Sequence, residues 1–270
     1  MIKRVSKLLT RDKSLSIEDR IKPVGEIEPF LTMLCYGQAG RGKTVFACSF
    51  PKPLLLLDIR EEGQDSVSDV EGVDLLAVER WQDIEDAYWM LESGKTKYKS
   101  VVIDQLTSMQ ALAIAETRER LGMKPGETLS QRSWGNVSGM MMTWIEHFRN
   151  LKKNKLHVCF NAHERTRDAE ETDDERIAPS VGSNLTPSIA SFVNGAVAVI
   201  GNSFIRERTD KKTKTREVRF CMRIGPHAYY AAKVRRPLSA GPAPDVVVNP
   251  TFDKIMAIIK GEQLVKKVRT

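Results

Sequence analysis

A chain of 270 residues with 41% hydrophobic side chains is long enough to bury the core of one large α/β domain. Its apolar runs are too short for a membrane helix, and its cysteines (Cys35, Cys48, Cys159, Cys221) lack the C-x-x-C spacing of a zinc site or redox pair. They read as small buried hydrophobes in a reducing, cytoplasmic compartment, and the net charge of +7 fits a polyanionic partner, nucleic acid or nucleotide.

Residues 1–28 form a polar, basic arm carrying Lys3, Arg4, Lys7, Arg11 and Lys13. Its apolar residues Ile2, Val5, Leu8 and Leu9 are spaced to line one face of a small docking helix, without the apolar core of a secretory signal. From Leu31 onward, strand-length apolar runs alternate with helical patterns, the mark of βαβ units and a mostly parallel sheet. Strands are expected at 31–36, 54–58, 73–78, 101–104, 157–162 and 195–200, and helices at 44–49, 81–93, 105–121 and 136–152. Continuous Leu and Val runs suit strands covered on both faces. Phe204–Arg208 and Arg216–Ile224 flank a polar tip, 210–215, and read as an antiparallel hairpin added to one sheet edge. A last amphipathic helix runs from Phe252 to about Leu264, so the main domain spans 29–265 and a basic tail 266–270.

The chemistry begins at Gly37-Gln38-Ala39-Gly40-Arg41-Gly42-Lys43-Thr44, which has the spacing G-x-x-x-x-G-K-[ST] between a strand and a helix opening at Val45. Glycines let backbone N–H groups turn inward to cradle phosphate oxygens, and the following helix end adds its dipole. Lys43 reaches the β- and γ-phosphates of ATP, and the Thr44 hydroxyl ligates Mg²⁺. A second carboxylate is needed for the magnesium shell, and Val101-Val102-Ile103-Asp104 supplies it at a buried strand end. The competing reading makes Asp104 a helix cap.

Gln105 follows Asp104, where many ATPases of the AAA+ type carry a glutamate that polarises water. The base must come from elsewhere, and Asp58-Ile59-Arg60-Glu61-Glu62-Gly63 follows the strand beside the phosphate loop. Glu62 is the first candidate and Glu61 the second, against a solvated acidic turn. A third strand end places Asn161 and His163 where either one would sense the γ-phosphate, unless His163 only caps a turn.

Together these pieces resemble the RecA-like core of P-loop NTPases. More narrowly, the chain resembles phage-encoded RecA-like nucleotide-binding proteins of single-strand annealing and recombination. That likeness is carried by Ser130-Gln131-Arg132-Ser133-Trp134-Gly135, Asn161-Ala162-His163-Glu164, Ala232-Lys233-Val234-Arg235-Arg236-Pro237 and Asn249-Pro250-Thr251-Phe252. The resemblance implies that Glu62 activates water and that His163 links the γ-phosphate to a DNA-contacting loop. It also implies that Lys233 and Arg235 reach a neighbouring subunit's triphosphate in a ring or filament. The chain departs from the wider pattern in its doubled glutamate and in His163, where recombinases usually carry glutamine.

Two segments are expected as DNA loops. Gly122–Gly135 carries Lys124, Arg132 and Trp134, and 164–190 opens with Arg165-Thr166-Arg167 before an acidic stretch at 170–175. Cations beside an aromatic suit phosphate contact with base stacking on single strands, and the lysine-rich tip 211–214 is a further basic patch. The expectation is an ATP- and Mg²⁺-dependent protein that binds single-stranded DNA and promotes annealing or strand exchange. It would self-associate, work beside a single-strand-binding protein and not engage membrane. The alternatives are a helicase loader or packaging motor, and a DNA-binding module switched by ATP without hydrolysis.

Overall fold

The leucine run of the second strand shows how the sheet is built. Leu54 and Leu56 belong to one apolar layer and Leu55 and Leu57 to the other, and all four are buried. A strand covered on both faces has no solvent side to leave polar, which is why the sequence does not alternate there.

The computed structural model describes residues 18, 21–23, 25, 28–61, 63–124, 127–168, 170–171, 176–177, 179–209 and 216–262. The chain divides into two units, Met1–Phe30 and Leu31–Thr270. In the first, the described backbone includes the Ile21 N–H donating to the Glu18 carbonyl at 3.1 Å; the expected docking helix lies outside the described residues.

The second unit begins with β1 (Thr32–Gly37), α1 (Lys43–Ala47), β2 (Leu54–Asp58), β3 (Val73–Ala77), α2 (Trp81–Glu92), β4 (Ser100–Asp104) and α3 (Leu106–Arg120). It continues with α4 (Gln131–Asn150), β5 (His157–Arg167), β6 (Glu170–Glu171), β7 (Arg176–Ile177), β8 (Ser180–Ser183) and α5 (Pro187–Ala196). Last come β9 (Val199–Thr209), β10 (Arg216–Arg223), β11 (Lys233–Val234), β12 (Val246–Val248) and α6 (Phe252–Lys260). The main sheet has the order β12-β10-β9-β1-β5-β4-β2-β3, with β11 on β9 and β8 on β5. From β3 across to β9 every neighbouring pair is parallel; β10, β12, β11 and β8 join antiparallel. The expected α/β class, a largely parallel sheet with antiparallel strands near the C-terminus, is what the chain forms.

One apolar layer packs α2, α3, α4 and α5 on the sheet through Tyr88, Leu112, Phe148 and Val193. The other packs α1 and α6, with Phe46 edge-on to Phe50 and Phe50 tilted on Phe252 at 4.8 Å between centroids. Such aromatic pairs add about 0.5–1.5 kcal/mol each beyond their buried area. All four cysteines are free and buried. Among the described residues no helix is long and apolar enough to cross a membrane.

Four expectations change. Helix α4 starts at Gln131, five residues before the expected 136, because the Ser130 hydroxyl accepts the Ser133 N–H at 3.1 Å and caps it. Val137, Met141, Ile145 and Phe148 bury one face, enough to carry Gly135 and Gly139 within the helix. Arg132 and Trp134 are therefore helical, not part of a loop. The described part of 164–190 is not an open loop either: β5 continues to Arg167, β8 pairs back on it, and α5 begins with Pro187 in its first turn. The strand placed at 195–200 is instead the end of α5 followed by β9, which lies beside β1 over Val199–Asn202 and runs unbroken into the expected antiparallel hairpin with β10. The last helix stops at Lys260, where Gly261 takes the left-handed conformation (φ 77°). The hairpin tip 210–215 and the tail 266–270 lie outside the described residues.

His157 opens β5, and its Nδ1 accepts the Leu31 N–H at 2.9 Å, just before β1. Burial pushes this imidazole from 6.5 down to about 4. Between those values the unfolded chain binds the proton and the folded chain does not, so stability rises with pH through the window and is lost as pH falls through it. Allowing for partial exposure, the loss is on the order of 1–2 kcal/mol. Urea unfolding at pH 7 and pH 4.5 is expected to show a smaller pH difference for His157→Gln than for wild type; equal differences would remove His157 from this role.

Candidate functional site

The parallel register brings the carboxyl ends of β1, β2, β4 and β5 to one edge of the sheet. Gly37 stands level with His163, and Asp58 with Asp104. β1 emerges here with β5 on one side and β9 on the other, the kind of crevice at which α/β sheets bind ligands.

The phosphate-loop motif turns off β1 into α1. Gly42, at its last turn, has φ 77°, which only glycine adopts without strain. The Lys43 ammonium donates to the Gly37 and Gln38 carbonyls at 3.1 and 3.0 Å. Burial pushes its pKa down, while the nearby Cys35, Asp104, Glu61 and Glu164 pull it back up. Arg41 Nη2 donates to Gln38 Oε1 at 3.2 Å, and Val45 stands exposed just past Thr44.

The Thr44 hydroxyl donates to Asp104 Oδ2 at 2.6 Å. Asp104 is 3% exposed. It does not cap α3; Gln105 occupies that position. Burial pushes the Asp104 carboxyl up, against the Thr44 hydroxyl, the Asn161 amide and the Lys43 ammonium. A Cβ on Gly63 would lie 3.5–3.6 Å from Thr44 and from Asp104 Oδ2, so glycine keeps the space before this oxygen pair open. A hydroxyl and a carboxylate converging on open space beside a phosphate loop fit a hard divalent cation such as Mg²⁺.

Beside them is a second constellation. Glu61 accepts from the Ser108 hydroxyl, and its Oε2 lies 3.4 Å from His163 Nε2. Gln105 Nε2 lies 2.6 Å from the same ring nitrogen, and the Thr107 hydroxyl accepts the His163 N–H at 3.1 Å. The structure thus brings Glu61 and His163 together, while Glu62, ranked first from the sequence, lies outside the described residues. Asn161 is fully buried within β5 and acts on Asp104, so His163 is the polar group at this strand end.

Lys233 and Arg235 stand elsewhere. Lys233 pairs with Ile200, level with Leu34 and away from Gly37. Lys233 Nζ donates to the Asn194 carbonyl, and Arg235 Nη2 to Gly195 at 3.0 Å, at the end of α5. The structure does not bring them to this chain's own phosphate loop.

Several groups were missed by reading the sequence. Gln38 Nε2 donates to Glu164 Oε1 at 3.4 Å, Asn202 Nδ2 to Glu164 Oε2 at 2.8 Å, and Arg223 Nη1 to Asn202 Oδ1 at 2.8 Å. The Arg223 guanidinium lies 3.8 Å from the centroid of the Tyr230 ring. Tyr230 borders a concavity of about 480 Å³, also lined by Arg165, Arg167, His227 and Tyr229. No spacing rule links these distant residues; Gln38, Glu164 and the Arg165-Thr166-Arg167 run are visible in the sequence, while Asn202, Arg223, His227, Tyr229 and Tyr230 are not.

A model of the AAA domain family matches residues 30–235. No curated protein matches the chain.

A carboxylate whose pKa burial raises is a net cost to the folded state near neutral pH. Asp104→Asn is therefore expected to melt no lower than wild type in the absence of divalent cations. With Mg²⁺ and ATP at 100 times Kd, wild type should gain roughly 5 °C or more and the variant little. A variant that melts lower without metal would contradict this account of Asp104.

Proposed function

The chain belongs to the AAA domain family, a nucleotide-binding P-loop ATPase domain, and from that premise we propose that it is an ATP- and Mg²⁺-dependent protein that binds single-stranded DNA and promotes annealing or strand exchange. The observation that supports this most is the course of β5. The strand carries His163 beside Glu61 at the phosphate-loop edge, and two and four residues later Arg165 and Arg167 on the wall of an aromatic-lined groove. Arginines for phosphates with Tyr229 and His227 as stacking surfaces are the components of a single-strand site that does not read sequence.

In this reading Lys43 holds the triphosphate, and Thr44 and Asp104 hold Mg²⁺. The cation, when bound, neutralises charge on the phosphate oxygens. Glu61, which contacts His163, can orient the attacking water, with Glu62 as the other candidate for that role. Gln105 and His163 fix one another and respond to the γ-phosphate. The Gln38–Glu164–Asn202–Arg223 chain gives the loop a second physical link to Tyr230 and the groove. Lys233 and Arg235 complete a neighbour's site in an assembly of copies, and a phage setting beside a single-strand-binding protein is the context this activity suits.

A second reading, an ATP switch without hydrolysis, is favoured by Gln105 standing where a glutamate polarises water in many related ATPases. Glu61→Gln separates the two. It is expected to keep ATP affinity and lower turnover by about 10²-fold or more; no turnover in wild type would favour the switch.

The direct test is ATPase rate with and without single-stranded DNA, for wild type and Lys43→Ala. DNA should raise the wild-type rate, and Lys43→Ala should abolish it. A rate indifferent to DNA would count against the recombination reading. DNA affinity should fall with salt, and Arg165→Ala and Arg167→Ala should each reduce the log–log slope by about one.

A further inference from the structure

An aromatic ring that none of the roles above uses lies on the phosphate loop. Phe220 is on β10, opposite Ile205 of β9. A Cβ placed on Gly42 would meet Phe220 Cδ1 at 2.8 Å and Cε1 at 3.2 Å, so the ring edge rests on the turn that delivers Lys43. Its backbone is anchored: the Phe220 carbonyl accepts the Asn249 N–H at 2.7 Å, joining β10 to the end of β12. Met222, on the same face of β10, is fully buried in the α1–α6 layer. Moving towards the loop, that face comes into the open.

Phe220 is 43% exposed, and Val218, two residues earlier on that face, 47%. Val45, one residue past the Thr44 hydroxyl, is 53% exposed. A phosphate loop needs neither a ring nor exposed valines to hold phosphates, since backbone N–H groups and a lysine do that. A nucleoside triphosphate also carries a flat apolar base, and an exposed ring fixed beside the loop is suited to it.

We propose that Phe220 is the platform on which the nucleobase of the bound triphosphate stacks, with Val218 beside it on the same face of β10. This rests on the phosphate loop being a nucleotide site and goes beyond it in saying what holds the base. Stacking uses the face of the base and not its edge, so the platform favours purines for their area and separates adenine from guanine weakly. It also explains why position 42 must lack a Cβ twice over: for its left-handed backbone and for the ring above it.

The test is calorimetric titration of wild type, Phe220→Ala and Phe220→Trp with ATP and with inorganic tripolyphosphate, both with Mg²⁺. Phe220→Ala should weaken ATP by about ten-fold or more and leave tripolyphosphate within about two-fold. Phe220→Trp should restore ATP affinity, and its fluorescence should be quenched by ATP and not by tripolyphosphate. Unchanged ATP affinity in Phe220→Ala overturns the platform. So does an equal loss for ATP and tripolyphosphate, which would mean that the ring only shapes the loop. Wild type binding neither ligand would instead bring down the nucleotide reading, and the platform with it.

Discussion

A buried carboxylate held by a hydroxyl organises this end of the molecule. Asp104 stands at the end of β4, takes the Thr44 hydroxyl at 2.6 Å, and lies level with a second buried acid, Asp58. Two acids in one apolar strand edge are costly unless something cationic or hydrogen-bonding meets them. Here Thr44 and Lys43 of the phosphate loop, the Asn161 amide, and the Glu61 N–H on Asp58 Oδ1 at 3.0 Å offset part of that cost. The same bonds that satisfy these charges pin the loop to β4 and the β2 turn to the site.

That arrangement makes the site a property of strand register. In parallel strands the rise per residue is fixed, so residues level with one another at one edge stay level. Gly37 meets His163 and Asp58 meets Asp104 because six strands run in the same direction to the same edge. A one-residue slip of β5 would turn His163 to the opposite face and bring Glu164 in its place. The site is as stable as the sheet, and the apolar layers on both faces that fix the register are part of its chemistry.

The sheet has two distinct halves around β1. On one side β5, β4 and β2 carry His163, Asp104 and Asp58 at the phosphate-loop edge. On the other, β9 carries Asn202 and β10 carries Arg223 and Phe220, and with them the link to the Tyr230 groove and the ring over Gly42. The antiparallel hairpin is thus a wall of the site, where its composition suggested only an edge appendage. Glu164 bridges the halves, accepting from Gln38 on the loop and from Asn202 on β9.

By itself the sequence determined the parts that depend on short-range pattern. The strand–loop–helix motif from Gly37 to Thr44, the apolar runs ending in Asp58 and Asp104, and the periodic helices 81–92 and 106–120 follow from steric and burial rules that act over a few residues. Glu61 and Glu62 are legible only as a pair, since adjacent acids in a turn look alike by local pattern; that Glu61 lies 3.4 Å from His163 is a tertiary contact. The start of α4 was misplaced because Gly135 argues against helix locally, and only the packing of Val137 through Phe148 overrules it. Tertiary structure alone decided that one strand, β9, runs from beside β1 into the hairpin, that Arg165 and Arg167 face a groove with His227 and Tyr229, and that Phe220 rests on Gly42, more than 170 positions away in the chain. Those contacts are set by strand order and the closing of the sheet around β1, and no local rule of spacing carries that information.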